Sequence, residues 1–281
     1  MSKFEQIEAL PDLEQRQLNS LRQYIAKLER VCVAFSGGVD SSLVTAISKE
    51  QLDANAFAVT GISPALAPSL LKEARHQAKW IGIEHKECLT KELNDPSYYE
   101  NPNNRCFACK RELHSHLKLI SQKAGSFQVI DGVNFDDLTD HRPGISAAKE
   151  AGVLSPLAEL KIGKDSIRSI SKVLGFPWWD KPAEPCLSSR FPYGESISKN
   201  RLIQVGKAEA CLKKYGFSKV RVRSIGLTAK IEVPSERIKE LANDSIRKEI
   251  IEEFLNLGFE DVSVDLEGFV SGKLNRSIKG K

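Results

Sequence analysis

Two thiols three positions apart in a basic stretch are the first residues that could carry chemistry. The segment "NRCFACKREL", residues 104–113, places Cys106 and Cys109 beside Arg105, Lys110 and Arg111. A Cys-x-x-Cys spacing supplies two ligands of a metal site or a redox pair. Two ligands do not complete a metal site, so a third must come from elsewhere in the chain.

The Pro-rich segment "AEPCLSSRFPYGE" supplies the best candidate for the third thiol. Cys186 lies in this segment four residues before Arg190, and a neighbouring cation stabilises a thiolate. Cys32 and Cys88 fall in apolar strand-like runs, and Cys211 falls on a predicted helix. We expect these three to pack in the core, because free cysteine behaves as a small apolar side chain.

A glycine- and serine-rich turn, "SGGVDSS" at residues 36–42, indicates a phosphate-binding loop. It lies between a predicted strand and a predicted helix, so backbone N–H groups and the positive end of the helix would face one concavity. Asp40 carries the wrong charge for a phosphate and is predicted to hold Mg²⁺. The expected phosphate-binding residues are Ser36, Gly37, Gly38, Ser41 and Ser42.

The elements around this loop alternate between strand and helix. The pattern predicts strands over residues 31–36, 56–62, 83–89 and 127–133 and helices over residues 12–29, 41–50, 68–80 and 110–123. This alternation is typical of an α/β fold with a doubly wound parallel sheet. Neither GxxxxGK[ST] nor GxGxxG occurs, which argues against a Walker nucleotidase and a dinucleotide-binding enzyme.

The pattern changes after residue 180. We expect a sheet domain over residues 1–180, a Pro-rich linker over 181–196 and a smaller α+β domain over 197–281. In the last domain a helix near 197–215 precedes two strands around a glycine turn, a helix near 235–256 and a final strand.

Composition narrows the function classes. Hydrophobic residues make up 41% and charged residues 28%, as in ordinary globular proteins. No signal peptide or membrane-spanning run is recognised, so we expect a cytoplasmic protein with reduced thiols and no membrane partner. Residues 1–185 carry a net charge of −1 and residues 186–281 carry +5, which favours an anionic ligand in the last third.

Two further groups of polar residues could serve that ligand or ATP. Arg221 and Arg223 alternate with valines on a predicted strand, so they share one face and could hold a phosphate unless Glu232 neutralises them. Together with Arg190, they are the residues expected to bind the substrate. The segment "DGVNFDDLTDHRPG" follows the fourth strand, at the sheet edge where α/β proteins bind ligands. Asp131 and Asn134 close this strand, and four further polar residues could bind Mg²⁺, ribose or phosphate, or merely cap and turn the chain: Asp136, Asp137, Asp140 and Arg142.

The phosphate-loop motif resembles the PP-loop of the ATP pyrophosphatase superfamily. Together with "RCFACKREL", "DGVNFDDLTDHRPG", "PCLSSRFPYGE" and "VRVRSIG" followed by "AKIEVP", it resembles the LarE family of ATP-dependent sulfur insertases over nearly the whole chain. The resemblance implies that ATP adenylates a carboxylate of pyridinium-3,5-biscarboxylic acid mononucleotide. A sulfur nucleophile then displaces AMP to give a thiocarboxylate of the nickel-pincer nucleotide cofactor.

The family also implies two sources of sulfur. Some members sacrifice the sulfur of the single cysteine in the Pro-rich loop, here Cys186. Others hold a [4Fe–4S] cluster on three cysteines, here Cys106, Cys109 and Cys186, with one iron open to carry an extra sulfide. We favour the cluster, with sulfide or another donor as co-substrate. A zinc ion with His114 or His116 as fourth ligand is the alternative for these thiols.

Two other functions stay open at this point. A tRNA thiolase also combines a PP-loop with Cys-x-x-Cys, but the aromatic content of 7% and the modest charge do not lead us to expect nucleic-acid binding. A non-catalytic nucleotide sensor with a structural zinc site is the second. The sequence leaves a homo-oligomer open.

Overall fold

The computed structural model describes residues 4–139, 142–270 and 272–276. The α-helices are α1 (Asp12–Ala26), α2 (Val39–Leu52), α3 (Pro68–Ile81), α4 (Pro96–Tyr99), α5 (Arg105–Ala124), α6 (Pro143–Glu150), α7 (Pro156–Glu159), α8 (Lys164–Val173), α9 (Lys199–Lys214), α10 (Ile238–Leu241) and α11 (Asp244–Asn256). The strands are β1 (Val31–Ala34), β2 (Ala56–Ile62), β3 (Glu84–Leu89), β4 (Gln128–Ile130), β5 (Arg221–Ile225), β6 (Thr228–Glu232) and β7 (Asp261–Val264).

The chain divides into two compact units that are not continuous in sequence. The first comprises residues 1–63, 68–92 and 106–184, and the second comprises residues 64–67, 93–105 and 185–281. Among the described residues, no helix is both long enough and apolar enough to span a membrane.

A four-stranded parallel sheet organises the first unit, with strand order β3-β2-β1-β4. β1 pairs with β2 on one side and β4 on the other, so its carboxyl end lies at the centre of the sheet edge. Its residues alternate between two apolar clusters, with Val31 and Val33 in one and Cys32 and Ala34 in the other. Both faces are therefore covered, which confirms the predicted α/β fold with a doubly wound parallel sheet.

Helices fill these two clusters because their apolar residues recur at helical spacing. α1 contributes Leu18, Leu21 and Ile25 to the cluster on one face. α5 contributes Leu117 to the cluster on the other face. The loop after β1 therefore follows a strand whose two faces are covered by helices, which pack on the sheet through their apolar residues.

The second unit contains a three-stranded sheet with strand order β5-β6-β7. β5 and β6 form an antiparallel pair, whereas β6 and β7 run parallel. The buried residues Leu202, Val205 and Leu212 of α9 and Val222 of β5 belong to its interior. An α+β arrangement was expected for this part of the chain.

Several elements differ from the sequence-based expectation. α5 begins at Arg105 rather than residue 110. The last proline before it is Pro102, so no proline prevents the helix from starting at Arg105. The helix expected near 235–256 is broken, since the Asn243 side chain caps a new helix by accepting from Ser245 N–H. The short helices α6, α7 and α8 between residues 143 and 173 were not predicted.

Candidate functional site

The loop after β1 has the geometry of a phosphate cradle. Gly37 adopts a φ of 71°, which a residue with a side chain rarely adopts, and Gly38 is the N-cap of α2. The N–H groups of the first turn of α2 have no carbonyl partner within the helix, so they and the positive helix end face the loop. Ser41 Oγ accepts from Ser36 N–H at 3.2 Å and donates to the Gly38 carbonyl at 3.1 Å, which braces the turn.

Ser42 acts differently from the expectation. Its side chain is fully buried, and its hydroxyl donates to Gln77 Oε1 at 2.8 Å. Gln77 Nε2 in turn donates to the Gly37 carbonyl at 3.0 Å. The Ser42 hydroxyl therefore supports the loop through Gln77 rather than pointing at a phosphate. Gln77 comes from α3, and no sequence motif marked it.

Asp40 has a cationic partner that the sequence did not reveal. Both carboxylate oxygens accept from Lys164 Nζ, at 2.7 and 2.6 Å. Lys164 is the first residue of α8, 124 positions away, and it has no motif of its own. A carboxylate beside the phosphate cradle is a suitable ligand for Mg²⁺. In this structure Lys164 neutralises the negative charge of that carboxylate.

The acidic segment after β4 mainly shapes the chain. Asp136 Oδ2 accepts from the Lys164 backbone N–H at 2.7 Å, which holds the start of α8. Asp137 and Asn134 exchange side-chain-to-backbone hydrogen bonds at 3.3 and 3.1 Å, and Arg142 forms an ion pair with Asp137 at 2.9 Å. Burial raises the pKa of the Asp137 carboxyl. The capping and turning alternative is therefore what the structure supports for these residues, while Asp140 lies outside the described residues.

Asp131 and Gly132 connect β4 to the phosphate loop. Asp131 is buried, accepts from Val133 N–H and Ser155 Oγ, and has its pKa raised by burial. Gly132 lies so close to α2 that a Cβ atom there would be 2.6 Å from the Ser41 nitrogen. Only glycine allows this approach, so residue 132 determines where the first turn of α2 lies.

Exposure separates the cysteines into two groups. Cys106 and Cys186 are exposed and Cys109 is half-buried, whereas Cys32, Cys88 and Cys211 are buried. Burial raises the pKa of Cys32 to about 12 and also raises the pKa values of Cys88 and Cys211. These three remain protonated and inert at neutral pH, in agreement with the expected core packing.

Cys106 and Cys109 lie one turn apart at the start of α5. Thiolates are the usual ligands of iron–sulfur clusters, so the donor chemistry suits such a group. Within the described ranges, no group of three or more His, Cys, Asp or Glu side chains is gathered for a metal ion. His114 is buried two turns further along α5, and His116 Nε2 lies 3.1 Å from Glu112 Oε1.

In the second unit, Arg190 secures the loop that carries Cys186. Its Nε and Nη2 donate to Glu209 at 2.7 and 3.1 Å. Its Nη1 donates to the Pro185 carbonyl at 3.1 Å and to Ser189 Oγ at 2.8 Å. Arg190 and Glu209 are both buried, so the backbone before Cys186 rests on a fixed ion pair. Glu209, in the middle of α9, carried no signal in the sequence.

The two strand arginines have different surroundings although they share a face. Arg223 donates to both oxygens of Glu232, at 2.9 and 3.1 Å, and to the Ser189 carbonyl at 2.6 Å. Glu232 therefore neutralises Arg223, which was the alternative to phosphate binding by this residue. Arg221 lies over the Phe269 ring at 4.3 Å and donates to the Val270 carbonyl at 3.4 Å.

The charges beneath the Pro-rich loop do not balance. Burial lowers the pKa of Arg221, and the nearby Arg190 and Arg223 lower it further. Glu209 and Glu232 supply two negative charges against three buried guanidinium groups. The excess positive charge centres on Arg221, which makes this cluster attractive to an anion.

Comparisons with known proteins agree with these features. The asparagine synthase family model matches residues 17–97, which include the phosphate loop. An uncharacterized protein of Synechocystis sp. is 52% identical over 261 residues, covering 93% of this chain and 97% of that protein. The pyridinium-3,5-bisthiocarboxylic acid mononucleotide synthase of Lactiplantibacillus plantarum is 35% identical over 254 residues, covering 89% of this chain and 91% of that protein.

Similarity to tRNA-modifying enzymes is weaker and less complete. A tRNA-specific 2-thiouridylase of Caldanaerobacter subterraneus subsp. tengcongensis is 26% identical, covering 65% of this chain and 62% of that protein. The similarity to the mononucleotide synthase covers 89% of this chain and therefore extends over both units. The phosphate cradle and this near-complete similarity place the chain in the LarE family of PP-loop, ATP-dependent sulfurtransferases.

Proposed function

We propose that this protein adenylates a carboxylate of pyridinium-3,5-biscarboxylic acid mononucleotide and converts it to a thiocarboxylate, in nickel-pincer nucleotide cofactor biosynthesis. The observation that carries the proposal is the combination of an ATP-type phosphate cradle with exposed or half-buried thiols at residues 106, 109 and 186. The name of the Lactiplantibacillus plantarum relative, whose length this chain covers almost completely, supports the substrate.

The phosphate cradle would perform the first step. A substrate carboxylate oxygen attacks the α-phosphorus of ATP, and the bond to the β-phosphate oxygen breaks. The N–H groups after Gly37 and the Lys164 ammonium are suited to hold the departing pyrophosphate, whose charge grows as it leaves. Asp40 would hold Mg²⁺, which supplies positive charge to the phosphates. The product is an acyl adenylate, which is a much better electrophile than a carboxylate.

The thiols would act in the second step. A sulfur nucleophile attacks the acyl carbon, the bond to the AMP oxygen breaks, and a thiocarboxylate remains. We propose that Cys106, Cys109 and Cys186 hold a [4Fe–4S] cluster that, when bound, supplies this sulfur. Arg190 has the separate task of positioning the backbone at Cys186, because its donors are occupied by Glu209 and by loop oxygens.

The arginine cluster of the second unit would bind the substrate phosphate. Among the described residues, Arg221 lies over the Phe269 ring and donates to the Val270 carbonyl at 3.4 Å, and no carboxylate there pairs with its charge. A mononucleotide 5′-phosphate could bind there and balance the excess positive charge. Arg190 and Arg223 would then contribute to the local field while keeping their ion pairs.

The experiment combines anaerobic protein, ATP, Mg²⁺, the mononucleotide and sulfide. Pyrophosphate release reports the first step, and mass spectrometry of the nucleotide reports replacement of oxygen by sulfur. If a cluster is present, we expect Cys106→Ala, Cys109→Ala and Cys186→Ala each to lose iron and repeated sulfur insertion but to keep pyrophosphate release. Asp40→Asn should do the opposite: it should retain iron and lose pyrophosphate release. Cys211→Ala, at a buried thiol outside the site, is the matched control.

The alternatives give different results. If Cys186 is sacrificed, only Cys186→Ala stops sulfur insertion, each chain acts once per sulfur, and the spent protein is lighter by the mass of hydrogen sulfide. A tRNA thiolase would place sulfur in tRNA and leave the mononucleotide unchanged. A nucleotide sensor would bind ATP without releasing pyrophosphate, and that result would refute the proposed activity.

A further inference from the structure

The peptide group that leads from β1 into the phosphate loop is held at both ends. The N–H group of Ser36 donates to Ser41 Oγ at 3.2 Å, and the carbonyl of Phe35 accepts from Thr60 Oγ1 at 2.8 Å. A peptide group is planar, so fixing its N–H and its C=O fixes the orientation of the whole group. Thr60 is buried on β2, and it therefore supports the entrance of the loop from the neighbouring strand.

A histidine on the next strand is the second partner of the Thr60 hydroxyl. His85 of β3 places its Nε2 at 2.8 Å from Thr60 Oγ1. His85 is the register partner of Ala58, two residues before Thr60, so both side chains project from the same face of the sheet. The His85 ring also packs edge-on against the Phe35 ring, with centroids 5.7 Å apart and planes at 89°. Packing and hydrogen bonding thus hold the imidazole in one orientation.

The directions of these hydrogen bonds determine the tautomer of the histidine. A hydroxyl has one hydrogen and a carbonyl can only accept, so the Thr60 hydrogen goes to Phe35. Thr60 Oγ1 can therefore only accept from His85, and Nε2 carries the proton. Burial lowers the pKa of His85, which keeps the ring neutral at pH 7 and leaves Nδ1 unprotonated. Both oxygens of the nearby Glu87 are paired with Arg75 of α3, at 2.6 and 2.8 Å.

We propose that His85 is a positioning residue for the ATP-dependent step. It donates from Nε2 to Thr60, which donates to the Phe35 carbonyl and so holds the peptide group that begins the phosphate loop. Hydrogen bonds in such a chain polarise one another, so the histidine strengthens the bond between the hydroxyl and the carbonyl. His85 acts through the loop rather than on the nucleotide. The proposal rests on the proposed adenylation, in which the N–H groups of the loop hold the departing pyrophosphate.

Substitutions of different reach test this chain of donors. The amide nitrogen of glutamine lies about where Nε2 of histidine lies, whereas that of asparagine lies about where Nδ1 lies. His85→Gln should therefore keep the donor to Thr60, and His85→Asn should lose it. Thr60→Ser keeps the hydroxyl, and Thr60→Val removes it with little change of shape. His76→Asn, at an exposed histidine of α3, is the matched control.

Pyrophosphate release by the full-length protein is the kinetic measurement. We expect kcat to fall roughly three- to tenfold in His85→Asn and in Thr60→Val, as for the loss of one hydrogen bond. KM for ATP should change less than kcat, because the loop contributes most as charge develops on the pyrophosphate. His85→Gln, Thr60→Ser and the control should stay within about twofold of the wild type. Each variant is assayed well below its unfolding transition.

Nuclear magnetic resonance of isotope-labelled histidine reads the tautomer directly. The chain contains five histidines, and the His85 ring signals are assigned from their loss in His85→Gln. At pH 7.5 we expect a protonated Nε2 and an unprotonated Nδ1, with a changed Nε2 signal in Thr60→Val. A ring protonated at Nδ1 alone, or equal kcat in His85→Asn and His85→Gln, overturns the proposal.

A failure of the proposed function gives a different result. In that case the wild type releases no pyrophosphate, whereas the tautomer is unaffected. Calorimetric titration with ATP and Mg²⁺ then tests His85, since His85→Asn should bind ATP at least about twofold more weakly than His85→Gln. Equal binding by these two variants overturns the positioning role.

Discussion

The arginine side chains near the Pro-rich loop of the second unit have different roles. Arg190 and Arg223 each face a buried carboxylate and also hold backbone oxygens of the loop, so they act as structural braces. Arg221 instead rests on Phe269 and has no ion-pair partner among the described residues. Two arginines on the same face of one strand therefore differ in what their removal should do.

Arg221→Gln and Arg223→Gln should separate binding from stability. Arg221→Gln should weaken mononucleotide binding roughly ten- to a hundredfold and leave ATP binding unchanged, because one charge-assisted phosphate contact is lost. Arg223→Gln should lower the free energy of unfolding by about 3–5 kcal/mol, since it leaves the buried Glu232 carboxylate without its partner. Calorimetric titration and urea unfolding measure the two effects. The double variant Arg223→Gln with Glu232→Gln should recover part of the stability. If Arg221→Gln weakens mononucleotide binding and ATP binding equally, the phosphate assignment is contradicted.

At the scale of elements, the phosphate loop depends on parts that are distant in sequence. α2 supplies the helix end, α3 supplies Gln77, and α8 supplies Lys164. The turn after β4 reaches the same place through Gly132, which abuts the backbone of Ser41. The loop is therefore positioned by four elements, and two of them, α3 and α8, carry no recognisable motif.

Gly132→Ala should damage the loop without touching any ligand. The added methyl group would lie 2.6 Å from the Ser41 nitrogen and 2.7 Å from its Cα, and backbone atoms cannot move aside as a side chain would. We expect ATP-dependent pyrophosphate release to fall at least about tenfold and stability to drop by about 1–3 kcal/mol, the usual cost of overpacking. Gly206→Ala is the control, because its methyl group would meet the movable Leu187 side chain at 3.2 Å. Full activity in Gly132→Ala would show that the approach of these backbones is unimportant.

At the scale of the whole molecule, the two units have separate sheets and separate buried interiors. Their charges also differ along the chain, with the excess of Lys and Arg confined to residues 186–281. His114 of the first unit is buried and neutral in the folded protein. Protonation of this histidine at low pH therefore favours the unfolded chain. Stability of the molecule should therefore vary with pH in the range where an exposed histidine titrates.

Wild-type protein should lose stability between pH 7.5 and pH 5 through His114. The folded-state pKa of about 4 lies below the ordinary value of 6.5, so the unfolded chain takes up the proton first as the pH falls. Above pH 6.5 this group has no effect, and at pH 5 it costs roughly 2 kcal/mol. Urea unfolding at the two pH values should show a smaller loss for His114→Leu. His116→Gln should behave like the wild type, and an equal pH dependence in wild type and His114→Leu would refute the role of His114.

The local patterns of the sequence were sufficient for the fold class. Runs such as "VCVA" and the helical spacing of Leu18, Leu21 and Ile25 predicted buried strands and amphipathic helices, and "SGGVDSS" predicted the phosphate loop. Such signals are readable because hydrophobic period and turn chemistry involve neighbouring residues. The same holds for the inert cysteines, whose apolar neighbours are adjacent in the chain.

Only the tertiary structure decided which side chains meet. Lys164 reaches Asp40 across 124 positions, Gln77 reaches Gly37 across 40, and Glu209 pairs with Arg190 across 19. The sequence likewise could not show that Ser42 turns inward or that Glu232 pairs with Arg223 rather than with Arg221, its direct opposite in the strand register. Ion pairs and buried hydrogen bonds depend on the final packing of distant elements, and no local period encodes that packing.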